Sequence, residues 1–499
     1  MTTRDAPARA PLRLALGLSL LLLSLRLYLS ERVGFGDSEA LYVSYGLHPA
    51  PAFLDHPGLV GELARWIGDG SVPRPSTLHQ VTALAATAVP WVGYAAARAL
   101  GAASGPALRT FFALALWPEM SLGLFALTPD LPLAVLWLGA LGAAGAALRS
   151  PPESRGALLF ALAAGLSAGL AVTAKASGAL LVLALAATLV LPANRARLKT
   201  AAPWLAAALV AVLVLPLALH EVREGFPLLR HRFVTTQSRA GLSLRNLAAL
   251  LGGQLAYVGP PLLVGAYRVL RVLLRDRGSA VPALLVAATV VPGLPLAGLC
   301  LWSRVAEPHW LAPAYLGLAL GASLHDPVGP WVRRAVAAFG SVAIAAGFLL
   351  VATPVQIRIL GSRYVPRYDL ANDLFAWKTG IPLVREELEA AAEQSRQAVV
   401  VGPHWTVCAQ LHAGLGASVQ VGCRTPGGDD FSTWLPESGW RRAPTVLFVT
   451  DDRFDVDAKA AFPDRDVVGV RTGYVYRGGR PVRAIHVTRL DRAAVTRLP

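Results

Sequence analysis

Carboxylates, imidazoles and cations occur together in a few short stretches between long apolar segments. The first stretch, 31–76, contains Asp37, Glu39, Asp55, His56 and Glu62. The later groups are Asp130, Lys175, Arg230, Arg232, Arg304, Glu307 and His309. A carboxylate can take a proton from a hydroxyl group, and cations can neutralise an anionic group. These residue types therefore predict a polar site at the ends of apolar segments.

Each residue of the first stretch also has a simpler structural interpretation. Asp37 and Glu39 can be ordinary acids at a membrane surface. Asp55 and His56 precede Pro57, and Asp and Pro both favour turns. Both interpretations stay open at this point.

The later residues have structural alternatives of the same kind. Asp130 follows a proline, so it can simply occupy the first turn of a helix, where the helix dipole favours a negative charge. Lys175 can extend from a helix end to the membrane surface. Glu307 and His309 can form a cap beside Trp310, whose indole suits a membrane interface. A catalytic interpretation gains weight because all these groups fall on one predicted side of the membrane.

The composition excludes an ordinary soluble enzyme. Of the 499 residues, 54% are hydrophobic and only 15% are charged, whereas soluble domains carry about 25% charged residues. The formal net charge is +15. The basic residues lie in short clusters between apolar runs, which argues against a nucleic-acid-binding surface.

Eleven segments approach the about 20 apolar residues that cross a membrane as a helix. They are 12–30, 77–97, 110–127, 130–148, 156–173, 176–193, 201–219, 246–267, 280–301, 309–324 and 334–353. The first follows Arg4, Arg9 and Arg13 without a small-residue cleavage signature, which predicts a retained signal anchor. The sequence therefore predicts a mainly α-helical, polytopic transmembrane bundle.

Arginine placement predicts the orientation of these spans. With the N-terminus in the cytoplasm, every cytoplasmic connection contains basic residues, as the positive-inside rule expects. The short connections on the other side, 128–130, 174–176 and 302–308, carry at most one basic residue each. An odd number of spans places the C-terminal part outside the cytoplasm.

A change in composition near residue 355 predicts two domains. Residues 1–355 form a transmembrane catalytic domain with the outer loop 31–76, and residues 356–499 form a periplasmic α/β domain with strand-like runs such as QAVVVGP and TVLFVTDD. In this second domain His404, His412, Asp451 and Asp452 are predicted to be surface or capping residues. Cys408 and Cys423 can form a disulfide, or remain two buried thiols.

Ordered motifs along nearly the whole chain resemble the GT-C superfamily of membrane glycosyltransferases. The chain is most similar to glycosyltransferase family 39, which includes protein O-mannosyltransferases and lipid A aminoarabinose transferase. The motifs, in chain order, are GDSEALY, FLDHPGL, LTPDLPLAVLWL, GLSAGLAVTAKASGALLV, VAEPHWLAPAYL and NDLFAWKTG. The sequence departs from the family pattern at Gly58, where a proline is usual, and at His309, where asparagine is common.

The resemblance implies transfer of a sugar from a polyprenyl-phosphate donor to an extracytoplasmic lipid, glycan or protein acceptor, with inversion. It implies that Asp37 is the base and that Glu39 supports it. Asp55, His56 and Asp130 would line the acceptor or sugar pocket, and Glu307 and His309 would lie at the same site. The cations that would hold the phosphate are Lys175 and one of Arg230, Arg232 and Arg304.

Three further expectations complete the interpretation. A divalent metal ion is an open alternative, because Asp55, His56, Glu307 and His309 are ligand types whose spacing does not require a metal. The expected location is the bacterial inner membrane, with membrane lipids as partners and no nucleic acid. A flippase or transporter of polyprenyl-linked sugars is the alternative function, although the middle of the predicted spans is nearly free of charge.

Overall fold

The structure is a computed structural model that describes residues 9–238, 240–303, 305–394, 397–425 and 428–492. Helices dominate the described chain, as predicted. They are α1 (Arg9–Ser30), α2 (Asp37–Leu47), α3 (Leu59–Ile67), α4 (Pro75–Ala99), α5 (Ser104–Ala115), α6 (Pro118–Leu122), α7 (Asp130–Arg149), α8 (Arg155–Ala174), α9 (Gly178–Val190), α10 (Ala201–Arg223), α11 (Pro227–Arg230), α12 (Leu244–Gly253), α13 (Pro260–Arg275), α14 (Ala280–Trp302), α15 (Ala312–Leu324), α16 (Gly329–Ala352), α17 (Val355–Leu360), α18 (Asp373–Glu393), α19 (Trp405–Leu415), α20 (Asp430–Trp434), α21 (Glu437–Arg442) and α22 (Ala458–Ala461). The strands are β1 (Ala398–Gly402), β2 (Val421–Cys423), β3 (Thr445–Asp451), β4 (Arg465–Arg477) and β5 (Arg480–Arg492).

The chain divides into two compact units. The helical unit comprises Met1–Leu27, Ala50–Val60 and Val81–Gly347, and the sheet unit comprises Tyr28–Pro49, Gly61–Gln80 and Phe348–Pro499. The sequence assigned the whole outer loop 31–76 to the membrane domain. In the structure, most of that loop instead shares its contacts with the C-terminal residues of the sheet unit.

Six described helices are long and apolar enough to cross a membrane, namely α1, α7, α8, α10, α14 and α16. A bent pair, Leu244–Val258 and Pro260–Arg275, makes a seventh if it counts as one span. The eleven predicted spans are therefore not confirmed as a count. Some predicted spans form shorter helices; α9, for example, has 13 residues.

The predicted span 246–267 is not one continuous helix. A π-helical turn at Gln254–Val258 ends at Gly259, whose φ is 94°, and Pro260 then starts α13. The two helices meet at a bend of 95°. The bend has a local cause, because the positive φ favours glycine and the following proline has no N–H to continue the first helix.

Small residues bring the helices of the helical unit close together. Gly142 and Gly145 on α7 face Ala96 on α4 and Leu100 directly after it, where an added Cβ would lie 2.8 and 2.0 Å from the nearest atoms. Such close approach favours helix association in membranes. The fully buried Trp137 on α7 lies in the main hydrophobic core of this unit.

The sheet unit contains one five-stranded sheet in the order β2-β1-β3-β5-β4. Strand β1 is parallel to β2 and β3, whereas β5 is antiparallel to β3 and β4. The α/β character and the strands at QAVVVGP and TVLFVTDD agree with the prediction. Strand β4 was missed because it is an edge strand, mostly exposed and interrupted by register shifts, so its sequence has no regular apolar alternation.

Candidate active site

The acidic motif of the first outer loop starts helix α2 in the sheet unit. Gly36 is the N-cap residue, and Asp37 and Glu39 lie in the first helical turn. The unpaired N–H groups and the dipole of a helix N-terminus favour negative charge there. Glu39 also accepts a long hydrogen bond from the Gly36 backbone N–H at 3.4 Å.

Two side chains from the C-terminal segment hold the Asp37 carboxylate. Arg453 donates to Oδ2 at 2.6 Å, and Gln410 donates to Oδ1 at 3.1 Å. Arg453 also pairs with Asp451 at 2.8 Å and with Asp373 at 3.3 Å. Burial alone would lower the pKa of the Arg453 guanidinium, but the surrounding carboxylates outweigh it and hold that pKa above its ordinary value. The side chain of Asp37 remains 19% exposed.

Glu39 has a different environment from Asp37. Its carboxylate is buried and lies 2.8 Å from Nε2 of His79. The imidazole of His79 is itself buried and meets the ring of Phe35 edge to face. The two acids of the motif are therefore distinguished by their partners: Glu39 by a buried imidazole, and Asp37 by cationic and amide donors.

In the helical unit, Lys175 and Asp130 form an ion pair. Nζ of Lys175 lies 2.7 Å from Oδ1 of Asp130. Asp130 is the first residue of α7, and Lys175 ends α8 in an extended conformation. Asp130 thus occupies a first helical turn, as the structural alternative proposed. Lys175 is only 8% exposed and points to a carboxylate instead of extending to the membrane surface.

Asp55 and His56 are held by Arg232. This arginine lies in the π-helical turn His231–Thr235, a type of turn that is frequent at functional sites. Its guanidinium donates to the Asp55 carbonyl at 2.8 and 3.0 Å, and it lies 3.2 Å from Oδ1 of Asp55. Its Nη2 also lies 3.3 Å from Nε2 of His56.

These surroundings shift the pKa values of both residues downward. Burial would raise the pKa of Asp55, but His231, whose Nε2 lies 3.6 Å from Oδ1, and the charge of Arg232 outweigh it and lower that pKa to about 2. Burial, with the charges of Arg232 and Lys175, lowers the pKa of His56 to about 3. At neutral pH Asp55 is therefore ionised, and His56 is a neutral acceptor for Arg232.

Trp310 lies beside two cations of the helical unit, Lys175 and Arg232. Its ring centroid is 6.0 Å from Nζ of Lys175 and 5.7 Å from Cζ of Arg232. His309 is within electrostatic range of Lys175 and of Asp130. We call Lys175, Arg232, Asp55, Asp130 and His56 the cation cluster.

Glu307 and Arg230 were predicted as site residues but are not part of the cation cluster. Glu307 is exposed and lines a separate cavity of about 630 Å³ with Arg245 and Asn246. Arg230 is exposed on α11 and forms no ion pair within the described part of the chain. Arg304 lies outside the described residues.

Local loop geometry accounts for Gly58, where the family usually has proline. The Gly58 N–H donates to the Pro51 carbonyl at 2.9 Å, a bond that proline cannot make. A Cβ at Gly58 would lie 2.0 Å from the Ala50 carbonyl oxygen. The tight loop also pairs Ala52 with Pro57 in an isolated bridge, and it fixes the backbone next to Asp55 and His56.

Several partners of the predicted acids have no recognisable signal in the sequence. Arg453 and Gln410, which hold Asp37, carry no motif that separates them from surface residues. Asp451 and His412 were predicted to be surface or capping residues, and both are buried. Asp451 has the capping role, because it accepts hydrogen bonds from the backbone N–H groups of Arg453 and Phe454. His412 has neither role and packs beside His48. His404 caps α19, as expected.

The two cysteines of the sheet unit form a disulfide. Cys408 and Cys423 are joined with their Cα atoms 5.9 Å apart, which resolves the choice between a disulfide and two thiols. The described residues contain no group of three or more His, Cys, Asp or Glu side chains that could hold a metal ion. A divalent ion stays a prediction.

Comparisons with known proteins agree with the predicted resemblance. Residues 77–220, which include Asp130 and Lys175, match the family model described as dolichyl-phosphate-mannose-protein mannosyltransferase. No curated protein matches the chain in a sequence comparison.

The whole chain is similar in structure to ArnT from Cupriavidus metallidurans. For the apo state the TM-score is 0.64 at 16% identity, and for the form bound to undecaprenyl phosphate it is 0.61 at 15% identity. Both comparisons cover 97% of this chain and 98% of ArnT. The oligosaccharyltransferase AglB from Archaeoglobus fulgidus, in complex with an inhibitory peptide and a dolichol-phosphate, matches with a TM-score of 0.52 at 12% identity, over 88% of this chain and 69% of AglB.

These matches establish a GT-C type fold. The resemblance to the GT-C superfamily and to glycosyltransferase family 39 is thereby confirmed. The six membrane-length helices agree with a multi-pass membrane protein.

Proposed function

We propose that this protein is an integral-membrane glycosyltransferase that moves a sugar from a polyprenyl-phosphate donor to an extracytoplasmic acceptor. The observation that carries the proposal is the cation cluster, whose Lys175 and Arg232 lie 6.0 and 5.7 Å from the ring centroid of Trp310. Two cations beside an aromatic ring at helix ends suit a phosphate attached to an isoprenoid chain. The similarity in fold to ArnT, which has been crystallised with undecaprenyl phosphate, supports this assignment.

The ion pairs within the cation cluster would allow it to bind a phosphate and to release it again. Lys175 and Arg232 each contact a carboxylate, Asp130 and Asp55. An incoming phosphate offers these cations stronger acceptors, while the carboxylates keep the site close to neutral before it binds. His56 is neutral and therefore leaves the net charge of the cluster unchanged.

Asp37 is the proposed base. Its carboxylate would take the proton of the acceptor hydroxyl as that oxygen forms a bond to the anomeric carbon. The bond from the anomeric carbon to the phosphate oxygen breaks in the same step, and the electron pair leaves with the polyprenyl phosphate. Attack opposite the leaving phosphate inverts the anomeric carbon. The assignment of Asp37 and the cation cluster to one reaction rests on the resemblance to family 39.

The neighbouring side chains favour Asp37 over Glu39 as the base. Asp37 is partly exposed and is oriented by Arg453 and Gln410. Glu39 is buried against His79 and would support the start of α2. No second carboxylic acid is needed to protonate the leaving group, because a phosphate ester leaves as a stable anion.

The proposed orientation places the sheet unit outside the cytoplasm, in the periplasm of a bacterial inner membrane. The basic connections between the apolar segments support this orientation. The disulfide between Cys408 and Cys423 also supports it, since disulfides persist in oxidising compartments. The acceptor would then be a lipid, glycan or protein on that side.

A reconstituted assay tests transfer against the alternative of flipping. The full-length protein would be placed in nanodiscs with a panel of polyprenyl-phosphate sugars and candidate acceptors, and products would be identified by mass spectrometry. We expect a glycosylated acceptor and free polyprenyl phosphate in equal amounts. Translocation of the same lipids in proteoliposomes, without any covalent product across the panel, would overturn the proposal in favour of a flippase.

A further inference from the structure

A basic and apolar surface follows directly after α16, the last membrane-length helix. Residues 355–370 contain both buried and exposed side chains. Ile357, Tyr364 and Asp369 are buried. The exposed side chains are Arg358, Ile359, Leu360, Arg363, Val365, Arg367, Tyr368 and Leu370. We call these eight residues the juxtamembrane surface.

The apolar members of this surface are unusually open to solvent. Ile359 is 76% exposed, Tyr368 81% and Leu370 78%. Large apolar side chains with this exposure, close together in the sequence, favour an apolar partner. Tyrosine beside aliphatic residues is typical of a segment at a membrane interface.

The charges of the surface all have one sign. Arg358, Arg363 and Arg367 are exposed and form no ion pair within the described part of the chain. Asp369 is the single acidic residue in 355–370, and it is buried. Arginines next to a membrane normally accumulate on the cytoplasmic side. Three of them on the proposed outer side therefore indicate a binding role.

Arg477 fixes this surface to the end of the last helix. Its guanidinium donates to the backbone carbonyls of Leu350, Val351 and Thr353 at 3.2–3.3 Å, at the C-terminal end of α16. It also contacts Asp369 at 3.2 Å and Asn372 at 2.9 Å. The juxtamembrane surface is therefore tied to the C-terminal end of α16.

We propose that the juxtamembrane surface binds the phosphate headgroups of anionic phospholipids in the leaflet next to it. The guanidinium groups match phosphate oxygens in charge and in geometry, and the apolar side chains enter the outermost acyl region. Charge complementarity selects anionic over zwitterionic headgroups. The choice of the outer leaflet rests on the orientation given under the proposed function, whereas the binding chemistry does not.

Position-specific crosslinking provides the first test. A photoreactive benzophenone amino acid would replace Tyr368 in the full-length protein, in nanodiscs of phosphatidylcholine alone or mixed with phosphatidylglycerol. We expect lipid adducts at position 368 that are enriched in phosphatidylglycerol over its share of the bilayer. The hairpin turn between β4 and β5 lies next to the juxtamembrane surface, because a Cβ at Gly478 would be 3.0 Å from Pro354. Val468 is an exposed residue of β4, ten positions and about 30 Å from that turn. The same photoreactive group at Val468 should therefore give no lipid adduct. Absence of adducts at 368, or adducts with a protein, would overturn the proposal.

Charge removal provides the second test. In the triple variant Arg358→Gln, Arg363→Gln, Arg367→Gln, the enrichment of phosphatidylglycerol in the crosslinked adducts should disappear while total lipid adducts persist. The matched control is Arg271→Gln, Arg275→Gln, Arg334→Gln, which removes three arginines next to connections that the positive-inside rule assigns to the cytoplasm. This control should keep the enrichment. Unchanged enrichment in the first variant would overturn the role of the three arginines. Both readouts are independent of sugar transfer, so they do not depend on whether the enzymatic proposal holds.

Discussion

At the scale of single residues, the ion pair of Lys175 with Asp130 predicts how substitutions change the stability of the protein. Its ammonium group pairs with Asp130, and removing one partner of a poorly exposed pair leaves the other charge unsatisfied. We expect Lys175→Gln to lower the melting temperature of the purified protein, at a cost on the order of 3 kcal/mol.

The double variant Lys175→Gln, Asp130→Asn separates stability from function at this pair. Neutralising both groups should recover most of the melting temperature, because no uncompensated charge remains. Transfer should stay reduced by about 100-fold, since the cation that stabilises the leaving phosphate is still missing. Recovery of transfer together with stability would show that Lys175 has only a structural role.

Arg453 is the strongest candidate for a positioning residue that the motifs did not reveal. It donates to Asp37 at 2.6 Å and is itself fixed by Asp451 and Asp373. We expect Arg453→Gln to lower kcat by about 10- to 100-fold with little change in the donor KM, because orientation of the base is lost while donor contacts remain. Arg453→Lys should restore part of the rate.

Arg483 provides the matched control for that measurement. It pairs with Asp373 and Asp452 in the same network but does not contact Asp37. If Arg483→Gln reduces kcat as much as Arg453→Gln does, the effect of Arg453 is damage to the network and not positioning of Asp37.

The loop that contains Gly58 shows how an element constrains the cation cluster. A Cβ at this position would lie 2.0 Å from the Ala50 carbonyl oxygen, which is backbone and cannot rotate away. We expect Gly58→Ala to displace the loop and weaken the contact between Asp55 and Arg232. The rate of sugar transfer should fall clearly, while the melting temperature should change little. The matched control is Gly105→Ala, because a Cβ at Gly105 meets nothing within 4 Å and its φ is not positive. Gly70 is equally open but has a positive φ, so it is not suitable as a control. Equal activity of the Gly58 and Gly105 variants would contradict this role.

The elements also show what the sequence could predict. Apolar length identified α7, α8 and α14 closely, because a membrane span needs an uninterrupted apolar run. The same criterion merged two helices across Gly259, although the sequence Gly-Pro-Pro is a known interruption signal. Strand β4 escaped because an exposed edge strand has no apolar face to recognise.

The site was predictable only in part, for a physical reason. Asp130 and Lys175 lie at helix ends inside recognisable motifs, and the sequence predicted both. Arg453 lies 416 positions from Asp37 along the chain, so only the folded chain brings the two together. A contact of that kind leaves no local spacing or periodicity in the sequence.

At the scale of the whole molecule, the buried His412 and the partly exposed His48 beside it predict a pH dependence of stability. Nε2 of His48 lies 3.2 Å from Nε2 of His412, and Trp434 stacks on both rings. Burial and the neighbouring His48 lower the pKa of His412 to about 3, and burial also lowers the pKa of His48. Two protonated imidazoles at this distance would repel each other.

The sign of the effect follows from proton uptake. Between about pH 6.5 and pH 3 the unfolded chain binds protons that folded His412 excludes, so this stabilisation is complete above pH 6.5 and is lost as the pH falls. We expect the melting temperature to decline from pH 7 to pH 4, and to decline less in His412→Gln. Parallel pH profiles for the two proteins would contradict the assignment.

The most direct test of the proposed function is single-turnover transfer by Asp37→Asn in the reconstituted assay. Asparagine keeps the shape of the side chain but cannot accept the hydroxyl proton, so we predict a rate at least about 100-fold below wild type with donor binding retained. Asp452→Asn, which changes an exposed carboxylate in the sheet unit, should transfer at the wild-type rate. Undiminished transfer by Asp37→Asn would contradict the role of Asp37 as the base.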